Sequence, residues 1–370
     1  MKKLFIIFLI VVSSVFLFAT GESESGPIMV GVAGPYTGDL TALGVSAARG
    51  VQIVVDDLNS KGGVLGRKIK LVIEDEQCEP AQAANVAAKF VGDKVVAVIG
   101  HSCSGATRAG MDLYKNENLV VISPSATNPE LTSGIYSTFF RTVAPDTSQA
   151  KTWVDFLQSK GVRNVAFLHD KGDYGKGLAE YAKEFAQEAG INSVLFEGIT
   201  PGGLDYSAIV LKISNTKAQA VVFGGYYPEA SKLISQIKTQ KLDVIFVSGD
   251  GVKNPGYLGI AKQDAEGTYV TGPKDVSGLD LAKKARTQYV DKYGEEPGSF
   301  FNEGYSAALV LFGAMEKAKS TSSKAVMAAL RQNSFDTPIG KISFDKNGDV
   351  IGSGFSVYEV KNGKFVEISK

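Results

Sequence analysis

The feature that most constrains the fold is a unit repeated along the chain: a short apolar β-branched run, a loop rich in glycine or hydroxyl side chains, then apolar residues at helical spacing. Ile28-Met29-Val30-Gly31-Val32-Ala33 is the first run, and Gly34-Pro35-Tyr36-Thr37-Gly38 is its loop. Ala48, Val51, Val55 and Leu58 then recur on one helical face, and the glycines of Asn59-Ser60-Lys61-Gly62-Gly63 suit the helix end. Lys68 to Glu74 is the next strand, and Pro80 opens a helix burying Ala83, Val86, Ala87 and Phe90. Val95-Val96-Ala97-Val98-Ile99 and Leu119-Val120-Val121-Ile122 follow, with a helix between them. Runs this apolar fit strands covered on both faces, and the alternation predicts an α/β fold with doubly wound parallel sheets.

The pattern restarts after Phe139-Phe140-Arg141-Thr142-Val143-Ala144-Pro145-Asp146. A helix carrying Trp153, Phe156 and Leu157 precedes strands at 165–168, 193–196, 220–223 and 244–247, with helices between them. Two such units in 370 residues imply two lobes. From about Gly272 the chain becomes mostly helical (279–293, 303–317, 323–331), and it ends in strands 341–344, 355–360 and 365–368. That is too few strands for a third domain, so this tail is expected to pack back onto the two lobes.

Lys+Arg and Asp+Glu are equal at 39 each, so the long-range field that nucleic acid or an anionic membrane surface would require is missing. Lys2-Lys3, the apolar stretch Leu4 to Ala19 and the small residues Ala19-Thr20-Gly21 read as a secretory signal peptide over residues 1–21, with a mature start near Glu22. An uncleaved anchor is the alternative. No cysteine stands at its end to carry a lipid, so a lipoprotein is not expected, and the chain is placed in the periplasm or another extracytoplasmic space. The two cysteines, Cys78 and Cys103, lie in the exported part, where a disulfide between them is expected. Two reduced thiols, one lining a cleft, are the alternative.

Two strand ends carry hydroxyl-rich loops: Gly100-His101-Ser102-Cys103-Ser104, with Ser102 and Ser104 in the first turn of a helix, and Ser123-Pro124-Ser125-Ala126-Thr127. Free N–H groups and hydroxyls at a helix start bind anions, and open α/β sheets bind ligands at the carboxyl ends of their strands. The pair therefore predicts a site for one small anion, such as a carboxylate. Simple helix capping by these serines is the competing reading. Catalysis has no visible machinery. The nucleophile-elbow pattern around Ser102 lacks its last glycine, and only His101 and His169 could act as bases. No phosphate-cradling motif and no metal-ligand set occurs, so no cofactor and no metal are expected.

The blocks Asn59 to Gly63, Gly100 to Ser104, Ser123 to Leu131, His169-Asp170-Lys171 with Tyr174-Gly175, and Gly224-Gly225-Tyr226-Tyr227-Pro228-Glu229 occur in this order along the chain. In them the chain resembles the periplasmic leucine/isoleucine/valine-binding proteins of ABC importers, from Ile28 to its end. The resemblance implies a type I periplasmic-binding fold: two lobes, 27–144 with 273–354 and 145–272 with 355–370, joined by a three-segment hinge near 142–146, 270–274 and 353–357. It implies a monomeric, non-enzymatic protein that clamps a free L-amino acid, branched-chain first, and hands it to a membrane permease. The alternative is a sensor of the same fold that takes another amino acid, such as phenylalanine, or an amide. The ligand carboxylate is assigned to Ser104 and Thr127, and the ammonium to Asp250, the Ser125 carbonyl and Tyr226. Tyr174 closes over the ligand, and Leu43, Ser102, Cys103, Ala126 and Phe300 complete the site. Asp250 stands where the family usually has glutamate, Leu43 and Asn302 where it has aromatic residues, and Ser102 where it has an apolar one. A roomier side-chain pocket is the expectation.

Overall fold

The computed structural model describes residues 26–368, and the expected signal segment lies outside them. Strands β1 (Ile28–Gly34), β2 (Ile69–Asp75), β3 (Ala97–Ile99), β4 (Val120–Ser123) and β5 (Phe139–Arg141) alternate with helices α1 (Val45–Ser60), α2 (Pro80–Gly92) and α3 (Ser104–Asn116). They form a wholly parallel sheet in the order β2-β1-β3-β4-β5. The strand order reverses between β1 and β3, which opens a crevice above their carboxyl ends.

The second unit repeats the plan: α4 (Asp146–Ser159), β6 (Asn164–His169), α5 (Asp173–Glu188), β7 (Asn192–Gly198), α6 (Ser207–Ser214), β8 (Ala220–Gly224), α7 (Tyr227–Thr239), β9 (Ile245–Ser248), α8 (Pro255–Ala261) and β10 (Tyr269–Pro273). Helices α9 (Asp280–Tyr293), α10 (Phe301–Ala318) and α11 (Ser323–Gln332) follow. The chain ends with a small sheet of β11 (Phe335–Thr337), β12 (Gly340–Phe344) and β13 (Val350–Ile351), then the hairpin β14 (Phe355–Lys361) and β15 (Lys364–Glu367). The second large sheet runs β15-β14-β10-β9-β8-β6-β7. It is parallel from β10 to β7, and the terminal hairpin joins its edge antiparallel. Its reversal lies between β6 and β8.

Side-chain alternation explains the layers. In β1, Val30 and Val32 pack with Val51 and Val54 of α1 and with Phe301 and Leu311 of α10. The opposite face meets α2 and α3 through Ala33, Val98, Phe90, Met111 and Tyr114. Gly31 is a packing requirement, since a Cβ there would lie 2.9 Å from the Phe90 ring. In β6 and β8, Leu168 and Phe223 pack against Leu233 and Ile237 of α7, while Phe167 and Val222 meet Trp153 and Leu178 of α4 and α5. The helical tail covers the first sheet. Gly304 of α10 approaches α1 so closely that a Cβ would lie 2.4 Å from the Ala47 carbonyl oxygen. The chain passes between the two large sheets after Arg141, after Pro273 and between Ile351 and Phe355.

The disulfide Cys78–Cys103 ties the loop after β2 to the start of α3, with the Cα atoms 5.4 Å apart and a sequence separation of 25. Closing a loop of that length contributes ~3–4 kcal/mol in the chain-entropy model. The Cys78→Ser/Cys103→Ser variant is expected to lose about that much in a denaturant titration. A loss below ~1 kcal/mol would show that the loops hold without the bond.

Candidate functional site

The first sheet contributes two pinned loops. Gly100 turns the chain at φ 130°, where a Cβ would lie 2.4 Å from the Ala33 carbonyl oxygen. Helix α3 starts at Ser104 with Cys103 as its N-cap and no side-chain cap, so Ser102 lies in the loop before the helix rather than in its first turn. The hydroxyls do not cap helices. Ser125 Oγ donates to the Ser102 carbonyl at 2.9 Å, and Ser104 Oγ accepts from the Asn128 N–H at 3.2 Å, which leaves its own proton to donate. Ser123 Oγ donates to the His101 carbonyl and accepts from the Ala126 N–H. Fully buried Arg141 holds the second loop from beneath, donating to the carbonyls of Ala126 (3.2 Å) and Asn128 (2.9 Å) and to Thr132 Oγ1 (2.6 Å), while pairing with Asp349. The His101 ring faces Glu76 and Tyr114, so it is no base for either neighbouring serine.

The second sheet brings an acidic pole. Asp250, two residues beyond β9, is 2 % exposed. Its Oδ1 accepts from Tyr174 Oη at 2.5 Å, Gln149 Nε2 at 3.1 Å and the Gly251 N–H at 3.1 Å, while Oδ2 has no partner among the described residues. Tyr226 lies beside Tyr174, with 5.1 Å between ring centroids. The same Gln149 amide donates to Asp146 Oδ1 at 2.9 Å, and Asp146 Oδ2 is also unpartnered. Burial pushes the Asp250 carboxyl above its usual range. Burial and then the charge of Asp250 push Asp146 up to about 8. Thr127 Oγ1 is buried without a well-formed hydrogen bond, yet lies close enough to Asp146 to favour its charged form.

The two poles face each other. Leu43, Ser102, Cys103, Ser104, Ser125, Tyr174, Tyr226, Asp250, Gly251 and Phe300 wall one cavity of ≈ 10 Å³, close to what one water needs, so the cleft stands closed here and a larger ligand must enter while the lobes are apart, before they close on it. Ala126 and Thr127 lie behind Ser125 and do not wall it, and Asn302 borders a neighbouring cavity instead. Contacts at the rim join the two sides: Asn128 Nδ2 donates to the Asp173 carbonyl at 2.6 Å, Arg108 pairs with Asp173 at 2.9 Å, and Asn254 Nδ2 donates to the Ala42 carbonyl at 3.2 Å.

Residues 27–364 match the model of a periplasmic binding protein family. The chain belongs to that family. It is 37% identical to the leucine-, isoleucine-, valine-, threonine- and alanine-binding protein of Pseudomonas aeruginosa, over 92% of both chains. A leucine binding protein, LivK, from Thermotoga maritima superposes with a TM-score of 0.87 at 28% identity, covering 92% of this chain and 98% of that one. The branched-chain amino acid transporter substrate binding protein LivJ from Streptococcus pneumoniae, solved with isoleucine, gives 0.83 at 28% identity, covering 92% and 100%. These relatives are substrate-binding proteins rather than enzymes.

Sequence reading missed Asp146 and Gln149. Both sit in the first turn of α4 just after the chain leaves the first sheet, a place where acidic and amide residues ordinarily face water. Asp146 gives a pH signature. Its carboxyl titrates near 3.8 when unfolded and near 8 when folded, so the folded chain holds a proton that the unfolded chain has already lost. The stability this confers is complete below about pH 4 and declines as pH rises towards about 8. Asp146→Asn should therefore unfold with ~1–3 kcal/mol more stability than the parent at pH 8, the difference shrinking towards pH 5. A difference that does not vary with pH would remove the carboxyl from this account.

Proposed function

We propose that the chain is the extracytoplasmic solute-binding protein of an ABC importer, capturing a free L-amino acid, with leucine, isoleucine and valine as its first ligands, and delivering it to a membrane permease. The observation that carries this reading is the opposition of poles across one cavity. Hydroxyls and N–H groups at the start of α3 sit on one side, and a buried carboxylate with an unpartnered oxygen, Asp250, sits on the other. A zwitterion satisfies both poles at once. In this reading Ser104 takes the ligand carboxylate, with Thr127 set behind its loop rather than on the cavity wall, and Asp250, the Ser125 carbonyl and Tyr226 take the ammonium. Tyr174 fixes Asp250, and Leu43, Cys103 and Phe300 offer apolar surface to an aliphatic side chain. The ligands named for the Pseudomonas relative and the isoleucine in the Streptococcus structure support the same class.

The proposal includes lobes at 27–144 with 273–354 and 145–272 with 355–370, a signal peptide over residues 1–21 and no lipid anchor. Among the described residues no helix is long and apolar enough to cross a membrane.

Titration calorimetry with leucine, isoleucine, valine and phenylalanine tests the ligand class. Leucine is expected to bind more tightly than phenylalanine. Asp250→Ala leaves an ammonium unpaired and should cost ~3–5 kcal/mol, whereas Ser104→Ala removes one hydroxyl among several donors and should cost ~1.5–3 kcal/mol. Equal small losses at both positions would refute the assigned polarity, and failure of every free amino acid to bind would refute the clamp. Since only a closed cleft joins both poles, small-angle scattering should show compaction on saturation with leucine. An unchanged radius of gyration would count against closure.

A further inference from the structure

Asp250 and Phe300 wall a second cavity as well as the first. It measures ≈ 340 Å³, far larger than the space between the two poles, and residues of β10, β14 and β15 border it together with the start of α10, the helix that covers the first sheet. Its chemistry is different. Glu303, in the first turn of α10 and 6 % exposed, faces it, and among the described residues its carboxylate makes no ion pair and no hydrogen bond to another side chain. Across from it stands Lys253. Its stem lies over Gly272, where a Cβ would come within 2.2 Å of Lys253 Cδ, and its ammonium sits 4.0 Å from the centroid of the Tyr358 ring, with no carboxylate of the described residues in ion-pair range. The two opposite charges feel each other but do not touch.

We propose that this cavity is a second compartment of the ligand site, shut off by Phe300, and that it takes the terminal primary carboxamide of an amino acid of glutamine length. The inference rests on the amino-acid reading above. A side-chain carboxylate would pair with Lys253 but oppose Glu303, and a side-chain ammonium would do the reverse; each sets a like charge against a buried one. A carboxamide has an acceptor oxygen for Lys253 and two donor hydrogens for Glu303, and it carries no charge. Phe300 is the partition. It holds φ 58°, a conformation that glycine adopts freely and phenylalanine does not, so Phe300→Gly removes the ring and relaxes the backbone together.

Calorimetry with leucine and glutamine on the parent, Phe300→Gly and Phe300→Gly/Glu303→Met tests this, with Phe300→Ala as a second opening of the partition. The parent should favour leucine. Either opening should raise glutamine affinity at least tenfold while weakening leucine, and adding Glu303→Met should abolish the gain. Glu303→Met alone should leave leucine affinity unchanged. No gain for glutamine in openings that still bind leucine, or a gain that survives Glu303→Met, overturns the compartment. Failure of the parent to bind leucine overturns instead the amino-acid reading on which the compartment rests.

Discussion

Two buried carboxyl groups share one amide at the centre of this molecule. Gln149 Nε2 donates to Asp146 and to Asp250, while its Oε1 accepts from the Asp250 N–H at 2.9 Å and from Thr271 Oγ1 at 2.6 Å. Trp153 Nε1 donates in turn to Thr271 Oγ1 at 2.8 Å. This network joins the start of α4, the loop after β9 and the strand β10, so two of the three passages between sheets meet there. Two carboxylates cannot both ionise cheaply in such a place unless a proton or a cation joins them. The unpartnered oxygens of both acids direct that demand, and the cleft is built around it.

The first side of the cleft is rigid by construction. The disulfide, the Arg141 clamp and the Ser123 bridge to the His101 carbonyl fix the two hydroxyl loops without help from the other side. Donors held this way need little reorganisation to meet an anion, which is what a preformed binding pole requires. The acidic side depends instead on the hinge network. The site thus has one pole made by loop geometry and one made at the joint between lobes.

Much of the plan was legible. Apolar runs such as Val30 to Ala33 and Val95 to Ile99 carry strand and covering in the same residues, and the first hydroxyl-rich loop, after β3, stands where strand order reverses, with the second on the adjacent strand β4. Local pattern failed where tertiary context decides. Phe139–Arg141 is a strand only because β4 offers an edge, and three residues have no readable period. The terminal hairpin reads correctly as strands, but its antiparallel seat on β10 is a matter of packing. Ser102 lies outside the helix because Cys103 adopts the extended N-cap conformation. Of the site, the polar residues in loops after strands were readable, and Asp146 and Gln149 were not, since a helical first turn conceals which of its side chains face inward. Leu43 and Asn302, equivalent in the resemblance, end on different cavities, and only the folded chain separates them.

The rim contacts carry a kinetic consequence. Asp173 accepts from Asn128 through its carbonyl and pairs with Arg108 through its carboxylate, although it does not wall the cavity between the poles. These links must break each time the lobes separate, whatever lies inside. They therefore act on dwell time rather than on choice: weakening them speeds the escape of every cargo by a similar factor and leaves the ranking among cargoes to the residues that touch them.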